Sequence, residues 1–241
     1  MGRSLRQTPG GVVFHVLNRR AMRLPLFDKP ADYEAFERVL VEAMERPTAP
    51  DLFAWCLMPN HWHLLLRPRE NGDLSRWMQW LTVTHTHRWH AHRHTSGNGA
   101  LYQGRFKSFP VEDDGHFLTV ARYVERNPLR AGLVRPRDGA DAWRWGSASV
   151  RRRGPGPLRE ILSEWPVNRP RDWARWVIEP QTAAELDALR RCVVRGSPFG
   201  GDAWSRRTVE RLDLGQTVRS RGRPRKQQAS GRSSRRLRNS S

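Results

Sequence analysis

The chain of 241 residues carries 43 Lys and Arg against 24 Asp and Glu, a formal net charge of +19. An excess this basic calls for a polyanionic partner, with nucleic acid the default. Two cysteines, Cys56 and Cys192, exclude a disulfide framework and a four-thiolate zinc site, and no apolar run approaches the ~18–20 residues that cross a bilayer.

The mean hydropathy of −0.76 is low for a compact globule, so part of the chain is expected to lie outside any core. The N-terminal "MGRSLRQTPGG" lacks the apolar stretch of a secretion signal. Both cysteines are therefore expected to be ordinary buried thiols in a reducing cytoplasm. Nine basic residues and no acidic one fall from Arg219 onward, and subtracting them from +19 leaves +10 on residues 1–218. A basic body together with a basic tail favours nucleic acid more than a tail alone would.

In chain order, "GGVVFHVLNRR" (residues 10–20) alternates and is rich in β-branched residues, which predicts a strand. "DKPADYEAFERVLVEAMER" spaces Tyr33, Phe36, Val39, Leu40 and Met44 helically between Pro30 and Pro47, which predicts a helix. "DLFAWCLM" and "HWHLLLRP", separated by Pro59-Asn60, predict a hairpin. A second helix follows with the stripe Leu74, Trp77, Met78, Leu81, Asp73 as N-cap and "SGNG" as its stop.

"LYQGRFKSFPVED" predicts a further strand, and "DDGHFLTVARYVERNPLRAGLV" a third helix capped by its acidic start and cut near Asn127-Pro128. The order β-α-β-β-α-β-α predicts an α+β fold, a ferredoxin-like split βαβ antiparallel sheet with helices on one face. Past residue 150 the texture changes to "RRRGPGP", then Trp-rich short segments and a helix over residues 180–196. The expected organisation is a first domain at 1–150, an extension of short helices at 151–218, and a basic disordered tail at 219–241.

Four H-x-H pairs occur among nine histidines, so the pattern alone is cheap. On a strand, residues i and i+2 share a face and can share one metal; on a helix they diverge. That separates His61 and His63 from the pairs in the second helix. His87, His90 and His94 do share a helical face, but with no carboxylate or thiolate nearby they are expected to be a solvated, phosphate-facing cluster. For His61 and His63, strand geometry alone leaves a metal pair and satisfied core histidines equally open. Trp62 between them points to the opposite face and is assigned to the core.

In the third helix, Tyr123 and Asn127 are four apart and so lie on one face. They offer a phenolic oxygen and an amide carbonyl able to ligate a hard cation. Arg122, Arg126 and Arg130 surround them with positive charge, which suits a phosphate and a phenolate. Taken singly, Tyr123 reads as a core residue of a half-buried helix.

Taken together, "MPNHWHLLL" followed by "RYVERNPLRAGLV" resembles the single-tyrosine HUH transposases (histidine–hydrophobe–histidine plus tyrosine). More narrowly the chain resembles the REP-associated tyrosine transposases, with support from "FHVLNRR", "LYQGRFKSFPVEDD", "WRWGSAS", "RGSPFGGDAW" and "RGRPRK". The resemblance implies a metal-dependent single-stranded DNA endonuclease and strand transferase acting at palindromic, hairpin DNA. In it His61, His63 and Asn127 would hold one divalent cation, Mg²⁺ or Mn²⁺. Tyr123 would be the nucleophile that forms a 5′-phosphotyrosine.

DNA contacts are expected from Asn18, Arg19, Arg105 and Lys107, with Arg122 and Arg130 beside the tyrosine. Trp89, Tyr102 and Phe106 are candidates to stack on unpaired bases, with core packing their ordinary use. The resemblance further implies a cytoplasmic, nucleoid-associated protein without membrane contact, a monomer rather than a dimer. Its extension would pack near the active site or the DNA groove and modulate cleavage. The rival readings are a non-catalytic DNA or RNA hairpin-binding protein and a hydrolytic metallonuclease without a covalent intermediate.

Overall fold

The computed structural model describes residues 7–219. Of the expected tail, residues 220–241, including "RGRPRK", lie outside the described residues. Four strands, β1 (Val13–Arg19), β2 (Asp51–Met58), β3 (His61–Arg67) and β4 (Lys107–Val111), form an antiparallel sheet in the order β2-β3-β1-β4. Helix α1 (Pro30–Met44) connects β1 to β2 and α2 (Asp73–Arg93) connects β3 to β4. This is the expected split βαβ arrangement.

Local chemistry sets the boundaries. The Asp32 carboxylate accepts from the backbone N–H groups of Asp28 (2.8 Å) and Lys29 (3.2 Å), closing the first turn of α1 behind Pro30. Pro59 and Asn60 turn β2 into β3. Asp73 was expected as the N-cap of α2, but it is the first helical residue and Gly72, at φ 83°, precedes it. Of "LYQGRFKSFPVED", only Lys107–Val111 pairs regularly; residues 101–106 form an irregular loop tied back by an isolated bridge from Tyr102 to Arg20.

Helices α1 and α2 pack on one face, burying Phe36, Leu40, Trp62, Leu64, Trp77 and Leu81 in a single cluster. Trp62 is fully buried there and donates from Nε1 to the Tyr102 hydroxyl at 3.1 Å. The expectation of helices on one face describes α1 and α2 but not the third helix. Helix α3 (Gly115–Glu125) covers the opposite face, where Phe53, Leu65, Phe109, Phe117, Val120 and Val124 form a second cluster. The reason is visible in β2, apolar at every position after Asp51, and in the central Leu64–Leu66 of β3, which together present apolar side chains to both faces.

After α3 comes the short α4 (Asn127–Arg130), then α5 (Ser147–Arg153), α6 (Pro157–Glu160), α7 (Trp173–Ile178), α8 (Ala183–Arg195), α9 (Asp202–Arg211) and α10 (Gly215–Val218). Helix α8 opens on a capping box in which Thr182 and Glu185 satisfy each other's backbone donors. Trp173, Val177, Leu189 and Cys192 from this part of the chain complete the second cluster. Both sheet edges are covered as well: Gly146 bridges to Cys56 on β2, and Phe199 bridges to Val111 on β4. Both cysteines are buried and free, as expected.

Candidate active site

The α3 face of the sheet carries a cleft of about 260 Å³ whose walls include Leu17, Arg19, His61, His63, Tyr123, Asn127 and Arg130. Strand parity puts His61 and His63 on this face, their ring centroids 5.0 Å apart. Across the cleft, the Tyr123 ring stands perpendicular to His63 with centroids 5.7 Å apart. Tyr123 is only 6% exposed, and its hydroxyl makes no hydrogen bond among the described residues.

His63 Nδ1 lies 2.9 Å from His15 Nε2, while its own Nε2 is buried without a partner. His61 Nδ1 is 2.5 Å from Asn60 Oδ1. Burial, with the nearby charges of Arg130 and His61, lowers the His15 imidazole to about 3. His61 is lowered to about 4 by burial, then by Arg19 and Arg130. His63 is held well below its ordinary value, by burial first and by His61, His15, Arg130 and Arg19 after it. All three rings are therefore neutral near pH 7, the state that coordinates a cation.

Asn127 is 2% exposed and clamped to its own helix, Nδ2 donating to the carbonyls of Tyr123 (2.9 Å) and Val124 (3.2 Å). Its Oδ1 accepts from Arg130 Nη2 and keeps one further lone pair. The Arg130 guanidinium also lies 4.3 Å from the Tyr123 ring centroid. Two neutral imidazoles, one with an orphaned buried nitrogen, beside an amide oxygen fit a divalent cation. Among the described residues a separate group, Glu112, Asp114 and His116, brings ligand atoms within 4.8 Å of one another at the start of α3. Its carboxylates already serve the backbone: Asp114 accepts from the His116 N–H and Glu112 from the Gly201 N–H.

The structure brings together His61, His63, Tyr123, Asn127, Arg19 and Arg130. Asn18 and Arg105 instead share a larger cleft of about 1060 Å³ beside α2, with Gln79, Thr82 and His87. Lys107 is exposed on the edge strand β4.

Arg122 was expected to contact DNA and does not lie where it could. It is 5% exposed and donates to the carbonyls of Glu179 (2.7 Å) and Pro180 (3.1 Å), because adjacent helical positions point in different directions. The expected histidine cluster also divides: His87 lines the larger cleft, His90 bonds Thr95, and His94 ends the helix at φ 52°. Trp89 and Tyr102 are buried in the core rather than free to stack.

His15 went unrecognised in the sequence. The available signal was a polar residue in the middle of the apolar run Val13–Leu17 of β1, which is buried on both faces. Only the register that sets Leu17 opposite His63 brings His15 beside it.

Residues 11–127, a span that ends on Asn127, match the family described as Transposase IS200 like. Among solved structures the chain is similar to a REP-associated tyrosine transposase bound to a REP hairpin, at 20% identity. That likeness covers 70% of this chain and 99% of the other with a TM-score of 0.50, which shows a shared fold. No curated protein matches.

Proposed function

We propose, from the match of residues 11–127 to the IS200-like transposase family, that this protein cleaves and rejoins single-stranded DNA at a hairpin through a covalent tyrosine intermediate. One observation carries the reading. Among the described residues the Tyr123 hydroxyl makes no hydrogen bond, and its ring stands 5.7 Å from that of His63, whose buried Nε2 lacks a partner, in the cleft that His61 also lines.

Tyr123 acts as the nucleophile. Its O–H bond breaks, its oxygen bonds to phosphorus, and the bond to the 3′-oxygen breaks, leaving a 3′-hydroxyl and a 5′-phosphotyrosine. The ester stores the bond energy needed for rejoining. Arg130 beside the ring and Arg19 in the cleft wall supply charge-assisted hydrogen bonds to phosphate oxygens. His61, His63 and Asn127 would hold a divalent cation, Mg²⁺ or Mn²⁺, which when bound supplies Lewis-acid polarisation of the scissile phosphate.

We take the monomer as the working unit. The larger cleft, with Asn18 and Arg105 in its walls, and the exposed Lys107 offer a cationic path for the DNA. The similar solved structure was determined with a REP hairpin bound, and hairpin DNA at the nucleoid suits this chain's charge. No helix among the described residues is long and apolar enough to cross a membrane.

Incubating the protein with labelled hairpin single-stranded DNA and Mn²⁺ should give an adduct that survives a denaturing gel. Tyr123→Phe should abolish the adduct while leaving DNA binding within about threefold. Cleavage without an adduct would instead establish the hydrolytic reading, and binding without cleavage the non-catalytic one.

A further inference from the structure

The side of α3 that faces away from the cleft is as fully engaged as the side that carries Tyr123. Arg122 Nη2 donates to the carbonyls of Glu179 and Pro180 at 2.7 and 3.1 Å. Arg126 Nη1 donates to the Val177 carbonyl at 2.7 Å and to that of Ile178. These four consecutive carbonyls belong to the last two residues of α7 and the two that follow it, where backbone acceptors have no helical partner of their own. Between the two arginines, Glu125 is 2% exposed and accepts from Trp173 Nε1 and Ser147 Oγ, each at 2.7 Å. The Arg122 guanidinium also lies 5.2 Å from the Trp176 ring.

None of these three side chains reaches the cleft. Their partners come almost wholly from residues 173–180, far along the chain from the histidine strand. A helix of 11 residues followed directly by Asn127-Pro128 has little stability of its own and takes its position from what it packs on. The buried Glu125 carboxylate resists displacement from its two donors, because moving it strands a charge without hydrogen bonds, and each guanidinium adds two bonds to backbone carbonyls. On the near side, Val193 of α8 contributes to the cleft wall, so the same extension bounds the tyrosine helix from both sides.

We infer that residues 173–180 are a positioning clamp for the tyrosine helix, engaged through Arg122, Glu125 and Arg126, which sets the Tyr123 hydroxyl against His61 and His63. The kinetic consequence rests on the reaction proposed above; the clamp itself rests on the contacts alone. An attacking atom displaced by about 1 Å costs roughly 100-fold in rate. The clamp therefore makes the extension part of the catalytic apparatus without contributing a catalytic residue.

The chain has three tyrosines, and Tyr33 and Tyr102 lie in the core cluster on the other face of the sheet. Fluorotyrosine-labelled full-length protein therefore gives one ¹⁹F resonance at the site and two that report on the fold. In the Arg122→Gln/Arg126→Gln double variant, the Tyr123 resonance should shift or broaden while the other two stay in place. The adduct rate at saturating hairpin DNA should fall by at least about tenfold, with the DNA Kd within about threefold.

An unmoved Tyr123 resonance, or a moved one with an unchanged adduct rate, overturns the clamp. Should Tyr33 and Tyr102 move too, Trp173→Phe, which removes one donor to Glu125 and part of a buried ring while keeping both arginines, is judged by the same criteria. A wild-type protein that forms no adduct refutes the reaction, and the clamp then stands or falls on the Tyr123 resonance alone.

Discussion

His63 sits with Nδ1 engaged by His15 and Nε2 buried and unpaired, so the ring has a fixed orientation and one nitrogen to give. An outer partner of this kind fixes the tautomer of a ligating histidine and typically accounts for 10- to 100-fold in metal affinity. His15→Phe is accordingly expected to weaken Mn²⁺ binding by about that factor, read by electron paramagnetic resonance titration without DNA. Unchanged affinity would remove His15 from the site.

A second prediction concerns His85, buried and bonded to the Tyr102 hydroxyl at 2.7 Å and lowered by burial to about 3. Between about 3 and its ordinary 6.5, the unfolded chain takes up a proton that the folded chain refuses. Stability from this group is therefore whole above pH 6.5 and declines as pH falls towards 3, by about 2 kcal/mol at pH 5. Urea unfolding at pH 7 and pH 5 should show a smaller acid loss in His85→Gln than in the wild type; equal losses would contradict the assignment. His85 falls four residues after Leu81 on the buried stripe of α2, so helical spacing places it towards the core, while its meeting with Tyr102 depends on where the loop after α2 lands.

At the scale of elements, the order of strands and helices follows from patterns the chain repeats locally. Helix α1 lies between its two prolines, the hairpin turns at Pro59-Asn60, and the stripe Leu74, Trp77, Met78, Leu81 is wholly buried. Boundaries that depend on other segments are less legible. Residues 101–106 alternate like a strand, yet they leave the sheet to tie to Arg20 and to line the larger cleft.

The start of β1 is fixed in a similar way. The Gly10 N–H donates to Asn71 Oδ1 at 3.0 Å, and a Cβ at Gly10 would meet the Arg69 carbonyl oxygen at 2.2 Å. Because that neighbour is backbone, the chain itself must move. Gly10→Ala should destabilise the protein by about 1–3 kcal/mol, seen as a lower denaturant midpoint at unchanged slope. A wild-type midpoint would show that the loop after β3 yields freely.

At the scale of the molecule, one sheet serves two layers. Helices α1 and α2 close one face, while α3 closes the other together with α7 and α8. Cutting the chain after residue 150 removes Trp173, Val177, Leu189 and Cys192 from the second cluster, the Phe199 bridge from β4, and the carbonyl partners of Arg122 and Arg126. The 1–150 fragment is therefore expected to bind ANS and to unfold without a cooperative transition, rather than to behave as an independent catalytic domain. A fragment with a sharp thermal transition and no dye binding would show that the extension is dispensable for folding.

What the sequence determined alone was the local geometry. Period-2 parity placed His61 and His63 on one side of a strand, and the four-residue spacing joined Tyr123 to Asn127 on one side of a helix. Both relations are set by the backbone within a few residues, so no other part of the chain is needed to establish them. Tertiary structure decided the rest: that His15 meets His63 at 2.9 Å, that Asn18 and Arg105 open onto a different cleft, and that Arg122 turns to the carbonyls just after α7. Those outcomes depend on strand register and on which segment fills each face of the sheet. Both are settled by packing between residues far apart in the chain, where no local pattern reaches.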